Sequence, residues 1–179
     1  MLRAGRTWFG SDKITQEVEL AVGYNGFNGV IDLGTEKNEV NSNYQYENDG
    51  SYFRIGIDRN FVQDVSKGNV LSLGLRYARA GFSDRLVYTT EDVGFGEQSI
   101  DLSNPDLKAR WAELVFNLRG KIVAQLYMGM TLRWKFSRKV SGEGLLKTYD
   151  IPGFGNTSRQ NATSFDYYLL WRIPFSKKK

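Results

Sequence analysis

The chain has 179 residues, the length of one domain. With 41% hydrophobic and 25% charged residues, it is too apolar to be disordered and too charged to be a bundle of membrane helices. It has no cysteine and no histidine, which excludes disulfides, thiolate metal sites, and the commonest general base and metal ligand. The net charge of +4 comes largely from the three lysines at 177–179, so we expect no nucleic-acid partner.

Apolar and polar residues alternate with a period of two along most of the chain, and no long segment keeps the helical period of 3.6. This alternation predicts a single all-β domain over residues 1–179 with about eight strands. The predicted strands are 2–8, 17–24, 29–36, 51–60, 69–78, 111–122, 125–137 and 164–175.

From the second connection onward, shorter and longer connections alternate, and the longer ones are 37–50, 82–107 and 138–162. In an up-and-down barrel, alternate connections lie at the same rim. Outer-membrane barrels have short turns at one rim and longer loops at the other. The pattern predicts a closed antiparallel up-and-down transmembrane barrel with a side-chain-filled interior. Because alternation alone does not say which face is inside, a soluble lipocalin-like barrel is the alternative.

The polar face of the predicted strands mixes glycines with charged residues of both signs. Glycine weakens a strand unless a large group needs the space above it, and a narrow interior with paired charges explains both features. Glu17, Glu19 and Asp32 share this face. The predicted interior ionic network consists of Arg54, Asp58, Arg76, Glu113, Arg119, Arg133, Lys135, Asp166 and Arg172.

The other face is apolar, and we expect it to contact lipid. On the closing strand this lipid face is Phe165, Tyr167, Leu169, Trp171, Ile173 and Phe175. Aromatic residues near strand ends, Trp8, Trp111 and Trp134 among them, are typical of the girdles at membrane interfaces. Arg6 falls on the apolar face of the first strand, where a charge requires a bulge, a snorkelling geometry or a protein partner. We therefore take Arg6 as a candidate partner contact.

No motif predicts catalysis, a cofactor or a metal site. The IPGFG string at 151–155 contains Gly-x-Gly without a strand-to-helix context, and we interpret it as a turn in a surface loop. Acidic loop residues match no calcium-loop spacing, and a serine hydrolase would need a substitute for the missing histidine. We expect a protein that is not an enzyme. The first ten residues lack an apolar signal segment, which predicts either a chain that stays in the cell or a mature exported chain.

Several strings resemble a family of uncharacterised outer-membrane β-barrels from Bacteroidota. They are GSYFRIGIDRNF (50–61), LSLGLRYARAGFS (71–83), WAELVFNLRGKI (111–122), LYMGMTLRWKF (126–136), YDIPGFG (149–155) and YLLWRIPF (168–175). The opening LRAGRTWFGSD is similar to that family's first strand, although Arg6 stands where an aliphatic residue is usual and a lysine tail follows Phe175. The resemblance implies a mature barrel in the bacterial outer membrane, without known enzymatic activity and often encoded beside a small lipoprotein.

The resemblance also implies a role as an accessory or structural subunit of an outer-membrane protein complex, with outer-membrane protein assembly as one candidate process. The expected partners are the lipid bilayer and proteins that include a small lipoprotein, contacted through the connections 82–107 and 138–162. The alternatives are a soluble carrier of an apolar ligand and a stand-alone surface-exposed binding barrel. A pore is disfavoured because side chains fill the interior of an eight-stranded barrel.

Overall fold

A computed structural model describes residues 2–6, 13–62, 69–92 and 96–171 of the chain, and the structural statements below concern those residues. The strands are β1 (Leu2–Arg6), β2 (Ile14–Tyr24), β3 (Phe27–Asn41), β4 (Tyr44–Asn60), β5 (Val70–Asp92), β6 (Gly96–Val123), β7 (Leu126–Ser141), β8 (Asp150–Ile151), β9 (Gly155–Asn156) and β10 (Ala162–Trp171). The same residues include no helix that is long and apolar enough to cross a membrane.

Eight of these strands form one antiparallel sheet in the order β1-β2-β3-β4-β5-β6-β7-β10. Strands that follow one another along the chain are therefore neighbours in the sheet, apart from the short hairpin β8-β9, which lies between β7 and β10 in sequence. The all-β, antiparallel, up-and-down architecture predicted from the sequence is confirmed. In the described part of the chain β1 and β10 do not pair, so the sheet is not closed into a barrel.

The sheet curls strongly, because side chains from strands far apart in its order touch each other. Arg133 on β7 lies 3.6 Å from Glu17 on β2 and 3.6 Å from Asp32 on β3. Neighbouring strands are about 4.8 Å apart, so four to five steps across a flat sheet would separate these residues by roughly 20 Å. The contacts require the sheet to bend around its polar face, which becomes concave and enclosed.

The two faces of the sheet differ in polarity. On β4, Ile55 is 50% exposed whereas its neighbour Arg54 is 3% exposed. The convex face thus carries apolar side chains and the concave face carries charges, which is the reverse of a lipocalin interior. We call the exposed apolar side chains of the convex face the apolar band: Val18, Leu20, Val22, Ile31, Leu33, Phe53, Ile55, Ile57, Leu71, Leu73, Leu75, Tyr77, Leu132, Trp134, Phe165, Tyr167 and Leu169.

Two of the connections predicted as long loops, 37–50 and 82–107, are instead regular hairpins. β3 and β4 are separated by residues 42–43 alone, and β5 and β6 by residues 93–95. The prediction was wrong because the exposed face of these strands turns polar beyond the apolar band, which weakens the hydrophobic alternation although the hydrogen-bonded ladder continues. β5 has 23 residues and β6 has 28, more than twice the roughly 9 to 11 that cross a bilayer. We call 35–51 and 79–110 the projecting hairpins.

The third connection predicted as long, 138–162, is shortened by the ends of β7 and β10 to residues 142–161. These residues fold back against the concave face, and we call them the inserted segment. Ile151 is fully buried and Phe154 is 1% exposed. Phe154 packs edge-on against Trp111, with ring centroids 5.6 Å apart. IPGFG does form a turn, at residues 152–154 between β8 and β9, but its interpretation as a surface turn is wrong because residues 151–154 are buried. The placement of Trp111 in an interface girdle is also wrong, because Trp111 is 1% exposed and shares its face with Glu113.

The inserted segment completes an apolar core on the concave face, where the projecting hairpins join the rest of the sheet. The buried members of this core are Tyr52, Ala78, Ala80, Phe82, Leu107, Ala109, Trp111, Ile151 and Phe154. The alanines of β5 and β6 leave room for the two large rings, so the packing follows from the alternation of small and large residues on facing strands. The core lies next to the charged part of the concave face.

Candidate functional site

An ionic cluster lies at the centre of the concave face, built from one side chain on each of five strands. Its members are Glu17 (β2), Asp32 (β3), Arg54 (β4), Glu113 (β6) and Arg133 (β7), and none is more than 9% exposed. Arg54 donates hydrogen bonds to Glu17 and, through Nε at 3.1 Å, to Glu113. Arg133 Nη1 lies 3.5 Å from Glu113 and 3.6 Å from Asp32. Such charges are tolerated in an interior only when they are paired.

Tyr52 connects this cluster to the inserted segment. Its hydroxyl donates to Glu17 Oε2 at 2.7 Å, and the Arg54 guanidinium lies 4.5 Å from its ring centroid. The ring occupies space that two glycines leave open, since a Cβ on Gly34 would come within 2.3 Å of it and a Cβ on Gly153 within 2.7 Å. The glycines therefore make room for a large interior side chain, as the sequence predicts for Gly34.

The main chain of the inserted segment is bound directly by two cations of the sheet. Lys135 Nζ donates to the carbonyl oxygens of Gly153 at 2.8 Å and Phe154 at 3.0 Å. Arg54 Nη2 donates to the Gly153 carbonyl at 3.1 Å. Burial of these cations is thus accompanied by hydrogen bonds to carbonyls as well as carboxylates, and the segment is held in place by the charges it covers.

A second anchor holds the segment at Asp150. Its carboxylate accepts hydrogen bonds from Lys13 at 2.8 Å and Asn38 at 3.0 Å, and its carbonyl accepts one from Asn48 at 3.0 Å. Lys13 also pairs with Glu36 at 2.7 Å. Burial alone would lower the pKa of Lys13, but the attraction of Asp150 and Glu36 outweighs it and raises that pKa above its ordinary value.

A separate ion pair lies on β4 and β5. Arg76 donates from both terminal nitrogens to Asp58, at 2.6 Å and 2.9 Å, in the bidentate geometry that suits guanidinium and carboxylate. A Cβ on Gly74 would lie 1.7 Å from Asp58 Oδ1. The absence of a side chain at Gly74 is therefore what allows this pair to form.

The predicted network divides into several groups. The structure brings Arg54, Glu113 and Arg133 together, sets Asp58 and Arg76 apart as a pair, and gives Lys135 carbonyl partners. The remaining members lie at the margin or beyond the described residues: Arg119 is half-buried opposite Gly129, Asp166 is half-exposed with its carboxylate 3.9 Å from Arg133 Nε, and Arg172 is outside the described residues.

The lipid-face residues and Arg6 can be placed only in part. On β10, Phe165, Tyr167 and Leu169 are exposed, at 59%, 81% and 67%. Trp171 is the last residue of the strand, and Ile173 and Phe175 lie outside the described residues. The backbone of Arg6 pairs with Ile14, which in turn pairs with Lys37. This register puts Arg6 at the edge of the apolar band, and its role as a partner contact stays a prediction.

Sequence reasoning placed Arg54 and Lys135 in the interior but missed the second anchor of the inserted segment, at Asp150. Lys13 lies beside a faint strand, Glu36 lies on the polar face of another, and Asp150 lies in a predicted loop, so no signal joined the three. The carboxylates of the ionic cluster are each paired with a guanidinium, which suits cross-linking of the sheet and not proton transfer. Among the described residues no group of three or more acidic side chains is arranged to hold a metal ion.

A pocket of about 480 Å³ opens between the projecting hairpins and the inserted segment. Tyr46 and Tyr149 meet edge-on inside it, with centroids 5.8 Å apart, and burial raises the pKa of Tyr46 above its ordinary value. All three connections that the sequence marked as long contribute to the pocket. We call it the tyrosine pocket, and it is lined by Val40, Asn43, Tyr44, Tyr46, Leu86, Tyr88, Thr89, Leu146, Lys147 and Tyr149.

These features define the class: an up-and-down antiparallel β-protein with an apolar convex face, a charged concave face and an inserted segment that covers it. The chain belongs to the family described as domain of unknown function DUF6048, which it matches over residues 12–178. A search of curated proteins and a search of solved structures each found no match.

Proposed function

We propose that this chain is a membrane-spanning β-barrel of the bacterial outer membrane that catalyses no reaction and serves as an accessory subunit of an outer-membrane protein complex. The observation that carries the proposal is the apolar band outside an interior of buried, paired charges. Soluble proteins rarely expose continuous apolar surface beyond a few hundred Å². In contact with lipid, such a band is stable. The paired charges then fill the interior of a narrow barrel, away from the lipid.

Closure of the sheet is part of the proposal. The edges β1 and β10 would leave rows of unpaired N–H and C=O groups, and such groups cost several kcal/mol each in hydrocarbon. Pairing of β1 with β10 would satisfy them. The strong curl of the sheet supports this, because it already brings side chains of β7 within reach of β2 and β3.

The filled interior favours a structural role over conduction. The ionic cluster crosses the concave face, and the inserted segment adds Ile151 and Phe154 to it. Eight-stranded barrels leave only enough room for side chains. We expect no single-channel conductance from the protein in a planar bilayer.

The tyrosine pocket supports a role in protein contact. Aromatic side chains in a partly desolvated pocket are typical of the residues that dominate protein interfaces. Tyr44 and Tyr149, 43% and 53% exposed, offer their rings at its mouth. The partner implied by the resemblance is a small lipoprotein, and outer-membrane protein assembly is the candidate process for the complex.

The test is extraction of the native complex. The protein should sediment with membranes, require detergent, and co-purify with a second protein under mild extraction. Tyr149→Ala should release that protein, whereas Tyr77→Ala, a tyrosine of the apolar band that is 44% exposed, should retain it. Migration alone from native membranes would overturn the accessory role. Solubility without detergent would overturn the membrane span.

A stand-alone surface-exposed binding barrel is the second candidate, and the four tyrosines of the tyrosine pocket favour it. Clustered aromatic rings are also suited to the apolar faces of small ring-shaped ligands. In that case the purified protein would run alone, and a soluble ligand would protect Tyr149 from chemical modification. A carrier of an apolar ligand finds less support, because the concave face is charged and covered.

A further inference from the structure

Four basic side chains lie together on the convex face where the sheet leaves the apolar band, and we call Arg79, Lys108, Arg110 and Lys139 the basic patch. Arg79 on β5 is directly opposite Arg110 on β6, and Arg110 is opposite Lys139 on β7. The adjacent row toward the band is Tyr77, Ala112 and Phe136 in the same register. The patch therefore borders the apolar band at Tyr77 on β5, and on β7 Phe136 lies between Lys139 and Trp134 of the band.

Three of the four charges of the basic patch have no ion-pair partner in the part of the chain that the structure describes. Side chains directly opposite each other in antiparallel strands are about 5 Å apart, and like charges there are destabilising. Within the described residues, Arg79, Arg110 and Lys139 form no ion pair, and Lys108 has only an exposed one with Asp106 at 3.2 Å. Arg85, farther along β5 on the same face, is paired with Asp101 at 2.6 Å. The fold thus carries an unfavourable row that an external anion would relieve.

A β-bulge in β7 places Lys139 in this row. The register shifts between Arg110 and Ala112, and Ser137 adopts a positive φ of 56°. The extra residue turns Arg138 inward, where it donates to the Thr157 carbonyl at 3.0 Å, and so turns Lys139 outward. Bulges commonly re-aim side chains in this way at functional positions. Without it, strand alternation would point Lys139 toward the concave face.

The surface at the basic patch has room for a ligand. A cavity of about 290 Å³ is lined by all four basic residues of the patch together with Ala109, Val140 and Ser141. Gly81 lies opposite Lys108, and a Cβ added to Gly81 would meet no atom within 4 Å. A tetrahedral anion could contact guanidinium groups from two strands at once, the geometry in which arginine binds phosphate well.

We propose that the basic patch binds the phosphate headgroup of a membrane lipid. This rests on the proposed membrane span, since the lipid is the anion available at the border of the apolar band. The headgroup would lie among Arg79, Arg110 and Lys139, and the acyl chains would run along Tyr77 and Phe136 onto the apolar band. A free phosphate would have the same charge but no contact with that apolar row, so the geometry favours the lipid.

The experiment uses the full chain folded into phosphatidylcholine vesicles that contain spin-labelled phosphatidic acid or spin-labelled phosphatidylcholine. The motionally restricted fraction of each gives their relative association with the protein. We expect a preference of about tenfold for phosphatidic acid, because each basic side chain near an anionic partner contributes about fivefold before salt screening. The triple variant Arg79→Gln, Arg110→Gln, Lys139→Gln should lose the preference. Arg85→Gln, on the same face, should keep it.

The outcomes separate the two proposals. Equal association of both lipids with the inserted protein would overturn the lipid site and leave the membrane span standing. A chain that stays in the aqueous phase without detergent would overturn both. Loss of the preference on adding excess inorganic phosphate, at constant ionic strength, would assign the patch to a free anion and overturn the lipid assignment.

Discussion

β5 carries two opposite arrangements along one strand, whose pairing with β6 shifts register between Phe82 and Asp84, beyond the point of inversion. In its first part Leu73 and Leu75 are exposed on the convex face while Arg76 is buried on the concave face. In the second part the convex face carries Arg79 and Arg85, and Ala78, Ala80 and Phe82 are buried. The backbone pairing does not change where the two parts meet. Under the proposed membrane span, this inversion of inside and outside marks the passage of the strand from lipid to water.

The second part obeys the rule of water-soluble sheets, with apolar residues inside and polar residues outside. The first part obeys the rule of membrane barrels. The inversion occurs between Tyr77 and Arg79 on β5 and between Phe53 and Ser51 on β4, so the boundary can be located to within a residue pair on neighbouring strands. Arg54→Met and Ile55→Arg alter the side of that boundary with the apolar band, and their controls alter the other side.

The largest effect is expected from Arg54→Met, which removes the cation shared by Glu17, Glu113 and the inserted segment. Breaking a buried ion pair leaves an uncompensated charge and costs about 3 to 5 kcal/mol of the free energy of unfolding. The measurement is urea-induced unfolding of the protein folded in detergent micelles. The control is Arg85→Met, which removes the exposed pair with Asp101 in the projecting hairpins and should leave the unfolding midpoint unchanged. Equal losses for both would contradict a difference between the two parts.

A charge placed on the convex face tests the boundary itself. Ile55→Arg should lower the free energy of unfolding in lipid vesicles by about 2 to 4 kcal/mol, the cost of arginine near the bilayer midplane. Ser51→Arg introduces the same charge on the same face four residues earlier, beyond the apolar band, and should cost about 0 to 1 kcal/mol. If both variants were equally stable, the apolar band would face water or protein and the proposed membrane span would be wrong.

The inserted segment should be released by Gly153→Ala. The added methyl would lie 2.7 Å from the Tyr52 ring, and the residue has a φ of +77°, a strain worth roughly 1 to 3 kcal/mol for a non-glycine residue. Limited chymotrypsin digestion should then cut after Phe154, which is 1% exposed in the native protein. Cleavage after the exposed Tyr149 serves as the internal reference. Gly81→Ala, where the methyl meets no atom within 4 Å, should leave the digestion pattern unchanged. An unaltered pattern for Gly153→Ala would show that close packing of Gly153 on the Tyr52 ring does not hold the inserted segment.

The sequence was sufficient to predict the part of the sheet that carries the apolar band on its convex face. Alternation over 51–60 separates Ile55 from Arg54 because each pleat sends neighbours to opposite faces, and the glycines of the polar face indicated an interior with large side chains. Both signals are local in sequence, so they could be read without knowing the pairing of strands.

The projecting part was not predicted, because its determinants are long-range. The exposed face of β5 beyond Tyr77 is polar, and its buried alanines give only a weak apolar signal. The burial of IPGFG depends on Trp111, Tyr52 and Lys135, which are far from it in sequence. Trp111 and Glu113 are two residues apart on β6 and therefore share the concave face. The position of Trp111 near a strand end suggests an interface girdle, and strand alternation is the signal that contradicts it.

The smallest predicted effect has the opposite sign. Arg110→Gln removes the middle charge of the row formed with Arg79 and Lys139, and relief of repulsion between facing like charges should raise the free energy of unfolding by about 0.2 to 1 kcal/mol in zwitterionic detergent. The gain should shrink as salt is added, since the charges are exposed and screened. Arg85→Gln, whose charge is paired, should give no gain under the same conditions. A loss of stability for Arg110→Gln at low salt would mean that the three basic side chains do not repel one another. The argument for an anion bound at the boundary between the two parts of β5 would then fail.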